Sequence, residues 1–300
     1  MNRKATNLLI LAGLAVAGLV LAAPAGAFFE PTPVSARSRA MGESQTAVPD
    51  AAYAAFHNAA WLADVPHGEA AFSFVRPFGY SFSDFYAAGA AFPLEGRFGN
   101  LGVGISHFKV DLADTTLLQE TVVTLAHGFE LFDDFHSRIC FGWALNLYSA
   151  KAGQSVSAVD PGSDTAVGLD LGLTMLLHKR TRAGFQVRNL NNPTIGLDGE
   201  ELPQRLVAGI AYEPYDGVIT TFEFDNEIGR EAQYHGGLEM AVTAGLALRA
   251  GVVTDPNRLT GGFGYRAGPV ALDYGFSTGG GTLDSTHQFG LRLAWGGEAP

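Results

Sequence analysis

Few residues of this 300-residue chain stand in combinations that catalysis requires. A hydroxyl beside an imidazole suits nucleophilic chemistry, and such neighbours occur at Ser106-His107 and at Ser285 to His287. Adjacent residues of a strand point to opposite faces, so the side chains of Ser106 and His107 would not meet in an extended segment. The sequence therefore predicts that the protein is not an enzyme.

Motifs for cofactors, metals and nucleic acids lack their context as well. Gly262, Gly264 and Gly268 have part of the spacing of a nucleotide-binding loop, but the pattern around them predicts a strand and no following helix. The eight histidines form no His-x-x-x-His pair, and the single cysteine, Cys140, excludes an internal disulfide. A net charge of −11 argues against nucleic acid, which requires clustered Lys and Arg. We expect no cofactor, no metal and no nucleic-acid partner.

The segments that carry these residues show a period of two from about Glu69 onward. Over 167–175, apolar side chains alternate with Gly, Asp and Thr, and the same alternation recurs over 139–147, 270–276 and 288–295. This is the strand period. A soluble β-sandwich would alternate too, but its polar face would be rich in Lys, Glu and Thr. Here the second face is mostly Gly and Ala, which is typical of a confined lumen.

Counting these segments predicts an all-β fold, a transmembrane antiparallel β-barrel of about 14 strands over residues 65–300. The strands are expected to start near residues 69, 84, 99, 118, 137, 165, 181, 203, 217, 231, 243, 258, 268 and 285. The long connections, 151–164, 191–202 and 277–284, all follow odd-numbered strands. Because outer-membrane barrels have short periplasmic turns and longer outer loops, both termini are expected in the periplasm.

The first 27 residues have the features of an export signal. A basic start, Arg3-Lys4, precedes an apolar stretch from Leu8 to Leu21, and Ala25-Gly26-Ala27 has the pattern of a cleavage site. The alternative, a membrane anchor, would need roughly 20 apolar residues. We therefore expect a signal peptide over 1–27, an N-terminal segment over 28–64, and a barrel in the outer membrane of a Gram-negative-type bacterium.

The alternation of inward and outward positions along each strand places a set of ionisable side chains on the face expected to point inward. Inward-facing residues on neighbouring strands often carry opposite charges, and charges away from bulk water should pair. They would form either a selectivity-setting lumen or a structural lattice of ion pairs, and the second interpretation is favoured. The predicted lumen charges are Asp170, Arg188, Arg205, Glu223, Asp225, Glu239, Arg249, Asp273 and Arg292, with His235 on the same face.

The stretch from Ser35 to Asp64 resembles the opening of mature PorV/PorQ-type and FadL-type outer-membrane proteins. It contains Ala36-Arg37-x-x-x-Met41-Gly42 and then Asn58-Ala59-Ala60-Trp61-Leu62, with Ala59 where the family motif has proline. The resemblance implies that 28–64 folds as a plug in the periplasmic mouth of the barrel; a loosely attached arm is the alternative. The predicted plug residues are Arg39, Met41, Gly42, Asn58 and Trp61. Asp50 is expected to cap a short helix over 51–62.

The C-terminal half is more specifically similar to the PorV/PorQ family. The similarity rests on a series of motifs in matching order and spacing: Phe185 to Leu190, Leu202-Pro203, Asp225, Gly237 to Glu239, Leu248 to Gly251, Leu272 to Phe276 and Thr286-His287. The last strand also resembles the signal read by the barrel-assembly machinery, in which Gln288, Gly290, Leu293 and Trp295 are the matching residues. The five residues after Trp295 depart from that pattern.

Two functions follow from the resemblance. PorV/PorQ-like relatives act in protein export and surface attachment, which is the leading hypothesis, and FadL-like relatives pass hydrophobic molecules through the barrel wall. A purely structural envelope protein is a third. The implied partners are outer-membrane lipid, the barrel-assembly machinery, and either secretion-system proteins or hydrophobic solutes. A kink or lateral gap with a pocket behind it would favour transport, whereas a sealed wall would favour export.

Overall fold

A computed structural model describes residues 28–94, 98–112, 115–153, 162–196, 199–280 and 283–296. Fourteen strands form a closed antiparallel barrel, and each starts within three residues of its predicted position. They are β1 Gly68–Arg76, β2 Ser83–Phe92, β3 Asn100–Leu112, β4 Thr115–Asp133, β5 Ser137–Ala152, β6 Ser163–Leu177, β7 Thr181–Arg188, β10 Arg205–Tyr215, β11 Val218–Glu227, β12 Gln233–Ala241, β13 Leu246–Val253, β14 Arg258–Ala267, β15 Val270–Ser277 and β16 Thr286–Trp295. The predicted barrel is confirmed, and the sandwich is excluded.

The barrel closes by pairing its first strand with its last. Gly68 lies opposite Trp295 and Arg76 opposite His287, so β1 and β16 pair along the whole of β1. Side chains alternate across the wall: in β5, Leu145 and Leu147 are 42% and 48% exposed, whereas Asn146 between them is buried. Large apolar side chains therefore cover the outside, as a lipid-facing surface requires. No helix among the described residues is long and apolar enough to cross a membrane.

The two ends of the barrel differ in the length of their connections. At one end the turns 134–136, 216–217 and 268–269 are short; at the other lie the connections 153–162 and 189–204. We call these the short-turn end and the long-loop end. The connection 189–204 contains a small hairpin that the sequence pattern did not predict, formed by β8 Thr194–Ile195 and β9 Glu200–Glu201.

The barrel is filled by its own N-terminal segment. Helix α1 Ala36–Ala40, helix α2 Ala54–His57 and a 3-10 helix Ala59–Asp64 lie inside the ring of strands. The fit is close at inward glycines: a Cβ at Gly142 would lie 2.3 Å from the backbone of Ala59. The Gly- and Ala-rich face thus allows the plug backbone to contact the wall directly.

The described ends of the chain lie at opposite ends of the barrel. Phe28 contacts the connection at Gly196, at the long-loop end, and Trp295 lies beside Gly68 at the short-turn end. The expectation that both termini lie on the periplasmic side stays a prediction. The predicted signal peptide, 1–27, lies outside the described residues.

Candidate functional site

The plug runs down the lumen from the long-loop end to the short-turn end. Near its start, the ring of Phe29 packs edge-on against Tyr148, with 4.9 Å between centroids, and its backbone N–H donates to Glu120 at 2.9 Å. At its end, Asp64 pairs with Arg138 at 2.7 Å. The plug therefore extends through the length of the barrel rather than only across its periplasmic mouth.

The predicted plug residues of the first half all contact the wall. Arg39 donates from Nε to Gln288 at 2.8 Å and from Nη1 to Ser277 at 3.2 Å. Met41 is fully buried. Gly42 has φ +64° and packs so closely on the wall that a Cβ would lie 2.4 Å from the carbonyl oxygen of Gly236. Glycine is required here both by the left-handed backbone and by the lack of space.

Asn58 and Trp61 hold the second half of the plug. The Asn58 amide donates to the carbonyls of Thr46, Leu173 and Phe185 at 3.2 to 3.4 Å, so it joins the plug to the backbone of strands β6 and β7. Trp61 donates from its indole to Thr46 O at 3.0 Å. The expected helix over 51–62 is wrong: Asn58 ends α2 and caps the 3-10 helix, so the chain makes two short helices.

Asp50 has a different role from the predicted helix cap. It belongs to an alternating series of charges, which we call the plug lattice, that joins the plug to strands β12, β13, β15 and β16. Each neighbouring pair lies between 2.6 and 2.8 Å at its shortest. Its members, in order, are Arg37, Glu239, Arg249, Asp273, Arg292 and Asp50.

Burial disfavours the charged form of every group in the plug lattice, but the oppositely charged partners outweigh this effect. Burial alone raises the pKa of Asp50, yet the two bonds from Arg292, at 2.6 and 3.0 Å, hold the pKa of that carboxyl below its usual value. Burial likewise acts to lower the pKa of Arg37, and the carboxylate of Glu239 raises it above the ordinary value. Both groups stay charged because they are paired.

The remaining predicted lumen charges line a cavity of about 260 Å³ between the plug and the outer half of the wall. Arg205 pairs with Asp225, Glu223 accepts the backbone N–H of Thr46 at 2.7 Å, and Asp170 accepts that of Asn189 at 2.8 Å. The favoured interpretation, a lattice of ion pairs, thus fits the charges of the plug lattice. The second set of inward charges lines the open volume of this cavity. Among these wall residues, Arg188 makes no ion pair and instead donates to Gln186 and to the carbonyl of Phe56.

This outer cavity has two chemically different sides. Strands β2 to β4 contribute apolar side chains, including Phe85, Phe108 and Val122, and the plug adds Phe56. The plug also contributes His57 to the lining, and burial lowers the pKa of His57 to about 4 against the opposing pull of Asp50. The cavity could therefore accommodate a molecule with an apolar body and a polar end.

A second cavity, of about 270 Å³, lies at the short-turn end. Its lining includes Arg37, Arg249 and Arg292 of the plug lattice, together with Arg266. Arg37 faces this cavity while Ser38, the next residue, faces the outer cavity. Helix α1 and the lattice therefore separate the two.

The wall is irregular beside the outer cavity where strand β7 ends. Strand β7 ends at Arg188, and Asn189, which lines the cavity, has φ +51°. Beyond it, Asn191 replaces the regular ladder with side-chain bonds to Val167 O and Leu169 N, both 2.8 Å. The wall is closed here by these side-chain bonds and by one backbone bond, from Leu190 N–H to Leu169 O at 2.8 Å.

The residues of the proposed assembly signal divide between the two faces. Gln288 is fully buried and donates to Pro33 O at 3.0 Å, and Gly290 faces Ala36. Leu293 and Trp295 are 49% and 42% exposed on the outside. Recognition by the assembly machinery stays a prediction. The inner pair also contacts the plug, which the motif did not indicate.

No catalytic arrangement emerges among the described residues. The chain does contain the Gly-x-Ser-x-Gly spacing at 275–279, but Ser277 ends a strand, no helix follows, and its hydroxyl accepts from Arg39. His107 bonds to Thr121 at 2.8 Å rather than to a serine. In the part of the chain that the structure describes, no group of three His, Cys, Asp or Glu could hold a metal.

Comparison with solved structures identifies the class of fold. The toluene transporter TbuX of Ralstonia pickettii is similar at TM-score 0.64 and 14% identity, over 87% of this chain and 98% of that one. The Pseudomonas putida toluene transporter TodX gives 0.59 and 13%, over 89% and 98%, and a Pseudomonas aeruginosa FadL homologue gives 0.58 and 12%, over 89% and 99%. The chain is a closed 14-stranded β-barrel with a FadL-like fold.

At the level of sequence, no family model and no curated protein matches the chain. The structural neighbours are transporters and FadL homologues, so the resemblance to PorV/PorQ in particular stays a prediction.

Proposed function

We propose that this protein is a channel through which small hydrophobic molecules cross the outer membrane. The observation that carries the proposal is the outer cavity of about 260 Å³, which lies between the plug and the wall of a FadL-like barrel. An apolar cavity of about 150 Å³ holds benzene, so this volume suits one aromatic ring with a short substituent. The similar structures include toluene transporters, which supports solutes of that size.

The route would use the irregular wall position at Asn189. A lipid-embedded barrel can release an apolar solute sideways only where the backbone ladder is interrupted, because regular strand pairing leaves no gap. The wall there lies beyond the last paired residues of β6 and β7 and is closed by the two side-chain bonds of Asn191 and one backbone bond from Leu190 to Leu169, so few bonds need to break for it to open. An interrupted ladder with a cavity behind it supports transport.

Two tryptophan substitutions on one strand test the channel. Ser106 lines the outer cavity, whereas Ile105 is 47% exposed on the lipid side. We expect Ser106→Trp to fill the cavity and abolish uptake of radiolabelled toluene by cells that lack other channels for it. Ile105→Trp should leave uptake at the native level. Equal uptake by both variants would refute a route through the cavity.

Protein export of PorV/PorQ type is the second candidate. It is favoured by the C-terminal motifs and by the continuous pairing of all 14 strands, since a sealed wall suits a barrel that does not conduct. Deletion of the gene distinguishes the two. Loss of a set of surface-attached proteins with normal toluene uptake would support export, and the reverse would support the channel.

A further inference from the structure

Six carboxyl groups line the outer cavity, and arginines compensate only part of their charge. Three of them form ion pairs: Glu30 with Arg230, Glu43 with Arg258 and Asp225 with Arg205. The other three form no ion pair among the described residues: Glu120, Asp170 and Glu223. Of the two arginines in the lining, Arg188 has no ion pair within the described part of the chain, and it donates to Gln186 and to the carbonyl of Phe56. The lining therefore has an excess of negative charge when its carboxyl groups are ionised.

Glu120 presents one carboxylate oxygen to the cavity. The residue is 7% exposed, and its Oε1 accepts the backbone N–H of Phe29 at 2.9 Å. Its Oε2 accepts no hydrogen bond from the described residues but keeps accessible surface, and Glu120 lines the cavity, so this oxygen can be reached from it. A buried carboxylate without a counter-charge is costly, so it either takes up a proton or attracts a cation.

Two aromatic rings lie in register beside this carboxylate. Phe108 of β3 lies directly opposite Glu120 of β4, and Phe85 of β2 lies opposite Phe108 on its other side. All three side chains line the outer cavity. Neighbouring strands are about 4.8 Å apart, so the carboxylate lies one strand spacing from the nearer ring, and aromatic faces themselves attract cations. This row fits a flat apolar group with a positive charge one or two carbon atoms away.

The lining argues against other charged ligands. In the part of the chain that the structure describes, no three His, Cys, Asp or Glu side chains are grouped closely enough to hold a metal ion. A carboxylate ligand would be repelled by Glu120 and Glu223, which both line the cavity. An organic cation needs only one carboxylate together with an apolar contact for its body.

We propose that the outer cavity accepts small aromatic amines in their protonated form, with the ring against Phe85 and Phe108 and the ammonium group donating to Glu120. This rests on the proposed channel function and extends it from neutral hydrocarbons to organic cations of the same size. The ammonium group supplies the counter-charge that Glu120 lacks among the described residues.

Three probes with the same ring and different charge test the inference: benzylamine, toluene and benzoate. Binding is measured by saturation-transfer NMR titration of the full barrel at neutral pH, where benzylamine is protonated, in nanodiscs of zwitterionic lipid that do not attract the cation themselves. A hydrogen bond to a charged group contributes about 1.5–3 kcal/mol, which corresponds to roughly 10-fold to 150-fold tighter binding. Protonated benzylamine should exceed toluene by that ratio, and benzoate should bind weakest.

One variant assigns the preference to Glu120. Glu120→Gln keeps an oxygen that can accept the N–H of Phe29 and removes the charge, so protonated benzylamine should bind about as weakly as toluene. Toluene does not use the carboxylate, so its binding shows that the cavity of the variant is intact. The matched control is Glu231→Gln, which removes the same charge from an exposed residue outside the cavity lining and should leave the native ratio unchanged.

The outcomes separate the two proposals. Protonated benzylamine bound no more tightly than toluene by the native protein would overturn the cation preference and leave the channel intact, whether or not the variant folds. An unchanged ratio in a Glu120→Gln variant that still binds toluene would overturn the role of Glu120. Tightest binding of benzoate would overturn the inference in favour of Arg188. If no probe binds and toluene uptake is absent, the channel and the inference both fail.

Discussion

Replacing Arg292 by methionine should release the plug from the lumen while the barrel stays folded. The guanidinium of Arg292 makes both hydrogen bonds of Asp50 and one of Asp273, at 2.6, 3.0 and 2.8 Å. Without it, Asp273 keeps Arg249, but the carboxylate of Asp50 is buried without its partner. Glu69 of the wall, 3.5 Å from Arg292, also loses a partner but keeps the N–H of Ala52, so most of the loss falls on Asp50 and hence on the plug.

The size of the effect follows from the burial of the pair. Removing one member of a buried ion pair costs about 3–5 kcal/mol, since an uncompensated charge remains. At about 1.4 kcal/mol for each factor of ten, the population of the displaced plug should rise by roughly two to three and a half orders of magnitude. In the double variant Asp50→Leu with Arg292→Met, no charge is stranded at that contact, so most of the loss should be recovered.

A thiol in the plug reports its displacement. Ala47 is 2% exposed and lies against Gly209, so a cysteine at position 47, in a Cys140→Ala background, reacts with a maleimide only when the plug moves. Labelling rates in detergent should rise about 100-fold or more in Arg292→Met. Arg182→Met is the matched control, because Arg182 pairs with Glu213 of the neighbouring strand at 3.0 Å. Unchanged labelling in Arg292→Met, or equal acceleration in the control, would refute the role of the plug lattice.

Three further substitutions probe the plug contacts, the pH response and the lipid face. Gly142→Ala places a Cβ 2.3 Å from the plug backbone and should cost about 1–3 kcal/mol in heat-modifiability assays, whereas Gly261→Ala, with its nearest atom at 3.6 Å, should not. In the unfolded chain the imidazole of His57 binds a proton near pH 6.5, whereas the buried imidazole binds one only near pH 4. Up to about 3 kcal/mol of folding stability should therefore be lost as the pH falls from 6.5 to 4. His57→Phe should flatten that part of the thermal-stability profile. Leu145→Arg on the lipid face should cost about 2–4 kcal/mol in reversible folding into liposomes, and Leu112→Arg at a strand end should cost less; equal losses would contradict the lipid-facing assignment.

The barrel was predictable because its signals are local. A strand alternation is visible within nine residues, as over 167–175, and the connection lengths showed which strand ends lie together. The inward position of the lumen charges followed from the same parity. Arg205 with Asp225 and Arg249 with Glu239 pair across neighbouring strands as their opposite signs suggested.

The plug contacts were not predictable because they join residues far apart in the chain without a periodic signal. Asp50 and Arg292 are 242 positions apart, and an aspartate before an alanine-rich stretch also has the pattern of a helix cap. Gly42 was a sign of close contact between plug and wall, because its neighbours in sequence do not explain why a glycine is needed there.

Phe28 lies at the long-loop end of the barrel and Trp295 at the short-turn end, so peptide tags fused at these two positions should lie on opposite sides of the membrane. If the predicted signal peptide is removed after Ala27 and the long loops face the medium, a peptide fused ahead of Phe28 would emerge at the cell surface beside the hairpin β8–β9. A peptide fused after Trp295 would remain on the periplasmic side. An antibody against the first epitope would therefore stain intact cells, while one against the second would require permeabilised cells.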